Sequence, residues 1–186
     1  MILIIDMSYK KDSLSLYEFV KPIANIVRAT DDFAIKHFSE INENDIDSSE
    51  KVILCGTALK DNNFLCALEK FEWIRQFENP VLGICAGMEV IAKVLGCDIV
   101  RRSEIGMTKI RIVKQDVLLS GRKEFDAYEL HNLSVVPTKD FEILAESNIC
   151  IQTIKHKRKP IYGIMFHPEV RNEWVVKNFI NLPKHC

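Results

Sequence analysis

Cys85 stands between two glycines in the run Pro80-Val81-Leu82-Gly83-Ile84-Cys85-Ala86-Gly87-Met88-Glu89. A short apolar strand, Val81 to Ile84, gives way there to a helix, and a side chain on so sharp a turn is pushed out of the sheet into the open. Gly83 and Gly87 let the backbone fold tightly and let a substrate come close. The thiol then lies over a helix N-terminus, whose unpaired amides and positive dipole end favour thiolate over thiol. Such a cysteine is a nucleophile in want of a base.

The base is offered late in the chain, in Ile161-Tyr162-Gly163-Ile164-Met165-Phe166-His167-Pro168-Glu169. An apolar strand delivers His167 at its carboxyl end, where ligand sites of open α/β sheets gather. His167 and Glu169 are two apart in an extended segment stiffened by Pro168, so their side chains can share one side. A carboxylate there holds the imidazole in the tautomer whose far nitrogen is free for the thiol proton, which is triad logic with cysteine as nucleophile.

These groups need a scaffold. Short β-branched runs alternate with helical patterns in the first half, the signature of βαβ units around a parallel sheet. Met1 to Asp6 reads as a strand, Ser13 to Arg28 as an amphipathic helix that Pro22 kinks or starts later, Phe33 to Phe38 and Lys51 to Cys55 as strands. Leu65, Leu68, Phe71 and Ile74 predict a helix over 61–77 with one buried face, and the helix after Cys85 should run to Leu95, stopped by Gly96. Beyond Gly96 come short β-rich runs, at 98–101, 107–113, 127–130, 141–146, 149–154 and 160–166, which predict hairpins and antiparallel additions to the sheet. A last amphipathic helix is expected from Glu173 to Leu182, turning Trp174, Val175, Phe179 and Ile180 inward. The expectation is therefore a single domain over 1–186 of α/β class: an open, mostly parallel sheet flanked by helices, with added antiparallel strands.

Composition narrows the function. Lys and Arg total 25 against 26 Asp and Glu, so no global field draws nucleic acid or an anionic membrane. The basic run Lys155-His156-Lys157-Arg158-Lys159 reads as a solvated turn or a docking surface for an acidic partner, and no base-stacking aromatics accompany it. The N-terminal strand lacks a basic leader and no apolar run approaches a bilayer span, which predicts a soluble, cytoplasmic protein. Neither G-x-x-x-x-G-K-[ST] nor G-x-G-x-x-G occurs, so nothing here would hold ATP or a dinucleotide, and no cofactor is expected. Cysteines at 55, 66, 85, 97, 150 and 186 show neither C-x-x-C spacing nor zinc-ligand intervals, so disulfides and a structural metal are not expected. Cys55, Cys66, Cys97 and Cys150 lie in apolar segments and read as small core residues.

The elbow and the His-Pro-Glu resemble those of the class I (triad) glutamine amidotransferases, whose glutaminase domain carries G-x-C-x-G-x-Q and a late His-x-Glu. Within that family the chain is most similar to the glutaminase subunit of archaeal-type two-subunit GMP synthetases, especially from Glu124 to Glu169. The resemblance implies a flavodoxin-like fold and a catalytic triad of Cys85, His167 and Glu169 that hydrolyses L-glutamine through a γ-glutamyl thioester. It implies an oxyanion hole of backbone amides at Ala86 and at Gly56 and Thr57, with Gly83, Gly87, Glu89 and His131 near the substrate. It also implies a separate ATP-dependent synthetase partner, of ATP-pyrophosphatase type, that receives the ammonia.

Three places depart from the pattern, and a fourth, at His131, follows it with an open role. The Gly-Gly pair after the third strand reads Gly56-Thr57, and threonine would resist a positive φ at the second position. Glu89 replaces the glutamine of the elbow motif; it either tunes substrate selectivity or merely sits on the first helical turn at a favourable dipole. Met7-Ser8-Tyr9-Lys10 replaces an early Gly-Gly-Gln-Tyr. His131, within Tyr128-Glu129-Leu130-His131-Asn132, contacts substrate or partner, or is a surface hairpin residue. A stand-alone γ-glutamyl hydrolase or peptidase, and a catalytically weak regulatory paralogue, remain as alternatives.

Overall fold

The computed structural model describes residues 1–183. Its β-branched runs assemble into one nine-stranded sheet. Strands β1 (Ile2–Asp6), β2 (Phe33–His37), β3 (Lys51–Leu54), β4 (Val81–Ile84) and β9 (Ile161–Ile164) form a parallel half in the order β2-β1-β3-β4-β9. Continuous burial of β1, β3, β4 and β9 matches their unbroken apolar sequences, as expected for strands covered on both faces. The antiparallel half continues through β8 (Ile151–His156), β7 (Phe141–Glu146), β5 (Asp98–Ile112) and β6 (Glu124–Val136). The α/β expectation holds, and parallel and antiparallel pairings contribute equally.

Helix α1 (Lys21–Arg28) packs on α4 (Trp174–Ile180), while α3 (Ala86–Val94) lies on β3, β4 and β9. A short α2 (Glu43–Asp47) has a reciprocal capping box between Asn42 and Asp45. Among the described residues, nearly all the buried apolar side chains form one contiguous cluster, with Phe19 and Cys150 outside it.

Several boundaries differ from the sequence reading for identifiable reasons. Pro22 falls in the first turn of α1, where its missing N–H costs nothing, so the α-helix starts at Lys21 and a π-turn, Leu16–Val20, precedes it. The predicted helix over 61–77 is two 3-10 segments, Asn63–Cys66 and Leu68–Arg75. Its apolar residues recur every three positions, which is the period of a 3-10 rather than an α-helix. The runs at 98–101 and 107–113 join into the single long β5, which a bulge between Arg101 and Glu104 allows. Cys66 is exposed rather than a core residue, whereas Cys55, Cys97 and Cys150 are buried; Cys186 lies outside the described residues. Among the described residues no helix is long and apolar enough to cross a membrane.

The basic run closes the turn between β8 and β9. The buried His156 ring accepts hydrogen bonds from the Arg158 and Lys159 amides, Lys155 pairs with Asp116 at 2.7 Å, and Lys159 pairs with Glu78 at 2.6 Å. These partners give the run a structural use as a turn.

Candidate active site

Parallel strands put their carboxyl ends on one edge, so the segments that follow β3, β4 and β9 converge there. Those segments begin with Cys55-Gly56-Thr57, with Cys85, and with Met165-Phe166-His167. Cys85 takes φ 47° and ψ −102°, a strained conformation for a residue with a Cβ, and its amide donates to Ile164 O at 2.8 Å. That strain marks a sharp strand-to-helix elbow, but the Cys85 side chain is buried there rather than pushed into the open as the sequence predicts, because the cleft over it is narrow.

The two flanking glycines sit beneath this elbow and do not line the cleft. A Cβ on Gly83 would lie 2.4 Å from the Gly87 carbonyl carbon, and one on Gly87 would lie 2.3 Å from Leu54 O. Both positions therefore require glycine for backbone packing, a use different from the substrate contact expected of them.

His167 is fully buried and firmly held. Its amide donates to Tyr128 O at 2.9 Å, its Nδ1 meets Glu169 Oε1 at 2.7 Å, and the Phe19 ring lies 5.4 Å from its own. Phe19 belongs to the π-turn, so an irregular helical segment covers the imidazole. Nε2 makes no aligned hydrogen bond and lies near enough to Cys85 that each group shifts the other's protonation. Burial opposes charge on the His167 ring, but Glu169 and the thiol together raise its pKa well above the ordinary value. Burial likewise pushes the Cys85 thiol up, and His167 only partly offsets this.

The cleft beside Cys85 is lined by Thr57, Asp61, Ala86, Glu89, His131 and Asn132 among others, and its volume is about 20 Å³. That is room for about one water and not for an amino-acid substrate. Two contacts draw its rim together: Thr57 Oγ1 donates to Asp61 Oδ2 at 2.9 Å, and Asn132 Nδ2 donates to Leu59 O at 3.2 Å. Left-handed φ occurs at Asp12, Cys85, Ser120, Asn172 and three glycines among the described residues, and at neither Gly56 nor Thr57. The loop thus rests in a conformation that threonine accepts.

Glu89 and His131 both reach the cleft, and His131 is buried, which excludes the surface-hairpin reading. Burial raises the Glu89 carboxyl to a pKa of about 7. His131 Nε2 lies 3.3 Å from Glu129 Oε2 and 3.6 Å from Glu104 Oε2, all three side chains being almost wholly enclosed. Burial alone would lower the His131 pKa, but these two carboxylates hold it above the usual value.

Sequence reasoning missed Glu104, Glu129 and Phe19. A signal existed for Glu129: in β6, Phe125, Ala127, Glu129 and His131 alternate onto the buried face, so a carboxylate and an imidazole occupy positions where apolar residues are expected. Glu104 is the cross-strand partner of His131, a pairing fixed by register and therefore invisible in one strand alone.

The family model for Glutamine amidotransferase class-I matches residues 17–180. The chain is similar to the glutamine-hydrolyzing GMP synthase subunit of Methanococcus aeolicus, 44% identical over 109 residues, 54% of this chain and 58% of that one. It is similar to the corresponding GMP synthase subunit of Sulfolobus acidocaldarius, 39% identical over 120 residues, 60% of this chain and 64% of the other. The matched stretch thus spans less than two thirds of the length of these curated relatives. Among solved structures, a candidate GMP synthase subunit from Thermoplasma acidophilum superposes with a TM-score of 0.85 at 27% identity, over 96% of this chain and 91% of its own. A glutamine amidotransferase from Thermotoga maritima shares the fold, with a TM-score of 0.71 at 20% identity, over 94% of this chain and 80% of its own.

Proposed function

Because this chain belongs to the class I glutamine amidotransferase family, we propose that it hydrolyses L-glutamine to glutamate and ammonia and hands the ammonia to a separate ATP-dependent synthetase. The observation that carries the proposal is a cysteine in a strained elbow conformation beside a buried histidine whose other nitrogen is bonded to a carboxylate.

In the first step the Cys85 sulfur, its proton passed to His167 Nε2, attacks the side-chain carbonyl carbon of glutamine. The developing oxyanion is met by the Ala86 amide at the start of α3 and by the backbone at Gly56 and Thr57. Collapse breaks the C–N bond, the His167 proton goes to the departing amine, and ammonia leaves a γ-glutamyl thioester on Cys85. Water, deprotonated by His167, then attacks the thioester; the C–S bond breaks, glutamate leaves and the thiol is restored. Glu169 keeps the imidazole oriented and favours its charged form throughout.

The cleft must widen to admit glutamine, and a partner that opens it would prevent idle hydrolysis. The curated relatives are glutamine-hydrolysing subunits of GMP synthase, which supports an acceptor enzyme of that kind, of ATP-pyrophosphatase type, in the cytoplasm. Glu89 favours a second reading, a stand-alone γ-glutamyl hydrolase, because it leaves a titrating carboxyl at the substrate pocket.

Glutamine hydrolysis measured with and without the synthetase subunit of an archaeal-type GMP synthetase separates the two. Stimulation by that partner is the expected result, and equal turnover on γ-glutamyl peptides without it would favour the hydrolase. Trapping by a diazoketone analogue of glutamine should label Cys85 and no other thiol; failure to label it rejects the triad.

A further inference from the structure

Outside the triad, the most unusual chemistry in the fold lies where β5, β6 and the start of β8 meet. Glu104, His131 and Cys150 are all buried, and one donor atom from each lies within 4.8 Å of the other two. Glu129 adds a second carboxylate, its Oε2 3.3 Å from His131 Nε2. Both His131 nitrogens and both Glu129 oxygens are enclosed without an aligned hydrogen bond. Buried polar groups are ordinarily satisfied, and buried charges ordinarily paired or bound to metal, so this cluster is short of a cation.

We propose that Glu104, His131 and Cys150 form a Zn2+ site behind the wall of the glutamine cleft that His131 lines, with the Glu129 carboxylate beside the imidazole. Sulfur, imidazole and carboxylate are the donor types that zinc takes, whereas Mg2+ and Ca2+ prefer oxygen alone. An ion central to three atoms so spaced needs each donor to move inward by less than about 1 Å to reach normal zinc bond lengths.

Supporting contacts are already in place. Gln152 Nε2 at 2.8 Å and Ser147 Oγ at 3.0 Å both donate to Glu104 Oε2, and the Cys150 amide donates to Ser147 Oγ at 2.9 Å. Such outer bonds fix ligand orientation. The ligands come from β5, from β6 and from the turn before β8, which is why no local cysteine or histidine spacing announces them. The ion would pin the β6 segment whose Leu130 carbonyl faces the Cys85 thiol at 3.8 Å.

The test uses the full chain with Cys66→Ser, Cys85→Ala and Cys186→Ser, which removes the exposed, elbow and terminal thiols, and titrates it with Co2+ and then Zn2+. One equivalent of Co2+ should produce a thiolate-to-metal charge-transfer band that Zn2+ abolishes, and absence of that band overturns the proposal. Adding Cys150→Ser should remove the band; its persistence overturns the proposal. Glu104→Gln, which keeps the side-chain shape, should weaken Zn2+ binding at least about tenfold, and unchanged affinity with the charge-transfer band retained would likewise overturn it. A protonated His131 bridging the two carboxylates is the outcome indicated when no metal binds.

Discussion

Gly56 stands so close to the His167 ring that a Cβ placed on it would lie 2.7 Å from Cε1 and 3.2 Å from Nδ1. The ring cannot retreat freely, because Phe19 packs 5.4 Å away from it and Glu169 holds its Nδ1. Gly56→Ala should therefore tilt the imidazole away from Cys85. A displacement of this size costs on the order of a hundredfold in kcat, while the melting temperature should fall only modestly. Steady-state kinetics and thermal melts check this, and near-normal turnover would show that the ring has room to adapt.

Glu169→Gln preserves the shape of the partner and removes its charge. Glu169 is a principal cause of the raised His167 pKa, so the imidazole should lose its proton at lower pH in the variant. His167 must be protonated when ammonia departs, so the alkaline limb of the kcat profile should move to lower pH. Turnover should drop on the order of a hundredfold. A profile of unchanged position would mean that Glu169 does not set the proton affinity of the ring.

Glu89 offers a test that depends on stability rather than activity. Its carboxyl is displaced from 4.5 to about 7 by burial. The folded protein therefore holds the proton more tightly than the unfolded chain, and stability is lost as pH rises from about 4.5 through 7. The full displacement corresponds to roughly 3 kcal/mol, an upper figure because the charged form can draw in water. Glu89→Gln removes this dependence. Thermal unfolding should show the variant gaining on the native protein between pH 5 and pH 8, and a constant difference would rule the account out.

Thr57→Gly addresses the oxyanion loop. Glycine restores the family's second loop residue and lowers the cost of a left-handed φ by about 1–2 kcal/mol. It also removes the hydrogen bond from Thr57 Oγ1 to Asp61 that helps close the rim. Basal glutamine hydrolysis without a partner should rise about fivefold or more. Unchanged or lower turnover would show that the loop need not change conformation for catalysis.

What the linear chain determined by itself was local. Unbroken apolar runs specified the buried parallel strands, and the Gly-x-Cys-x-Gly elbow and His-Pro-Glu marked where each group should stand, because strand ends, turns and periodicity are properties of neighbouring residues. The period of three between Leu65 and Ile74 was also visible, although it specifies a 3-10 turn and not the α-helix inferred from it. Only the tertiary structure decided the rest. Sheet order brings Cys85 beside His167, the π-turn lays Phe19 on the imidazole, and β5–β6 register sets Glu104 against His131. It also decided that Gly83 and Gly87 serve backbone packing, that the cleft rests closed, and that Cys150 meets a buried histidine. Each of these depends on contacts between segments far apart in sequence, whose distances are set by how the whole sheet pairs and not by the composition of any one segment.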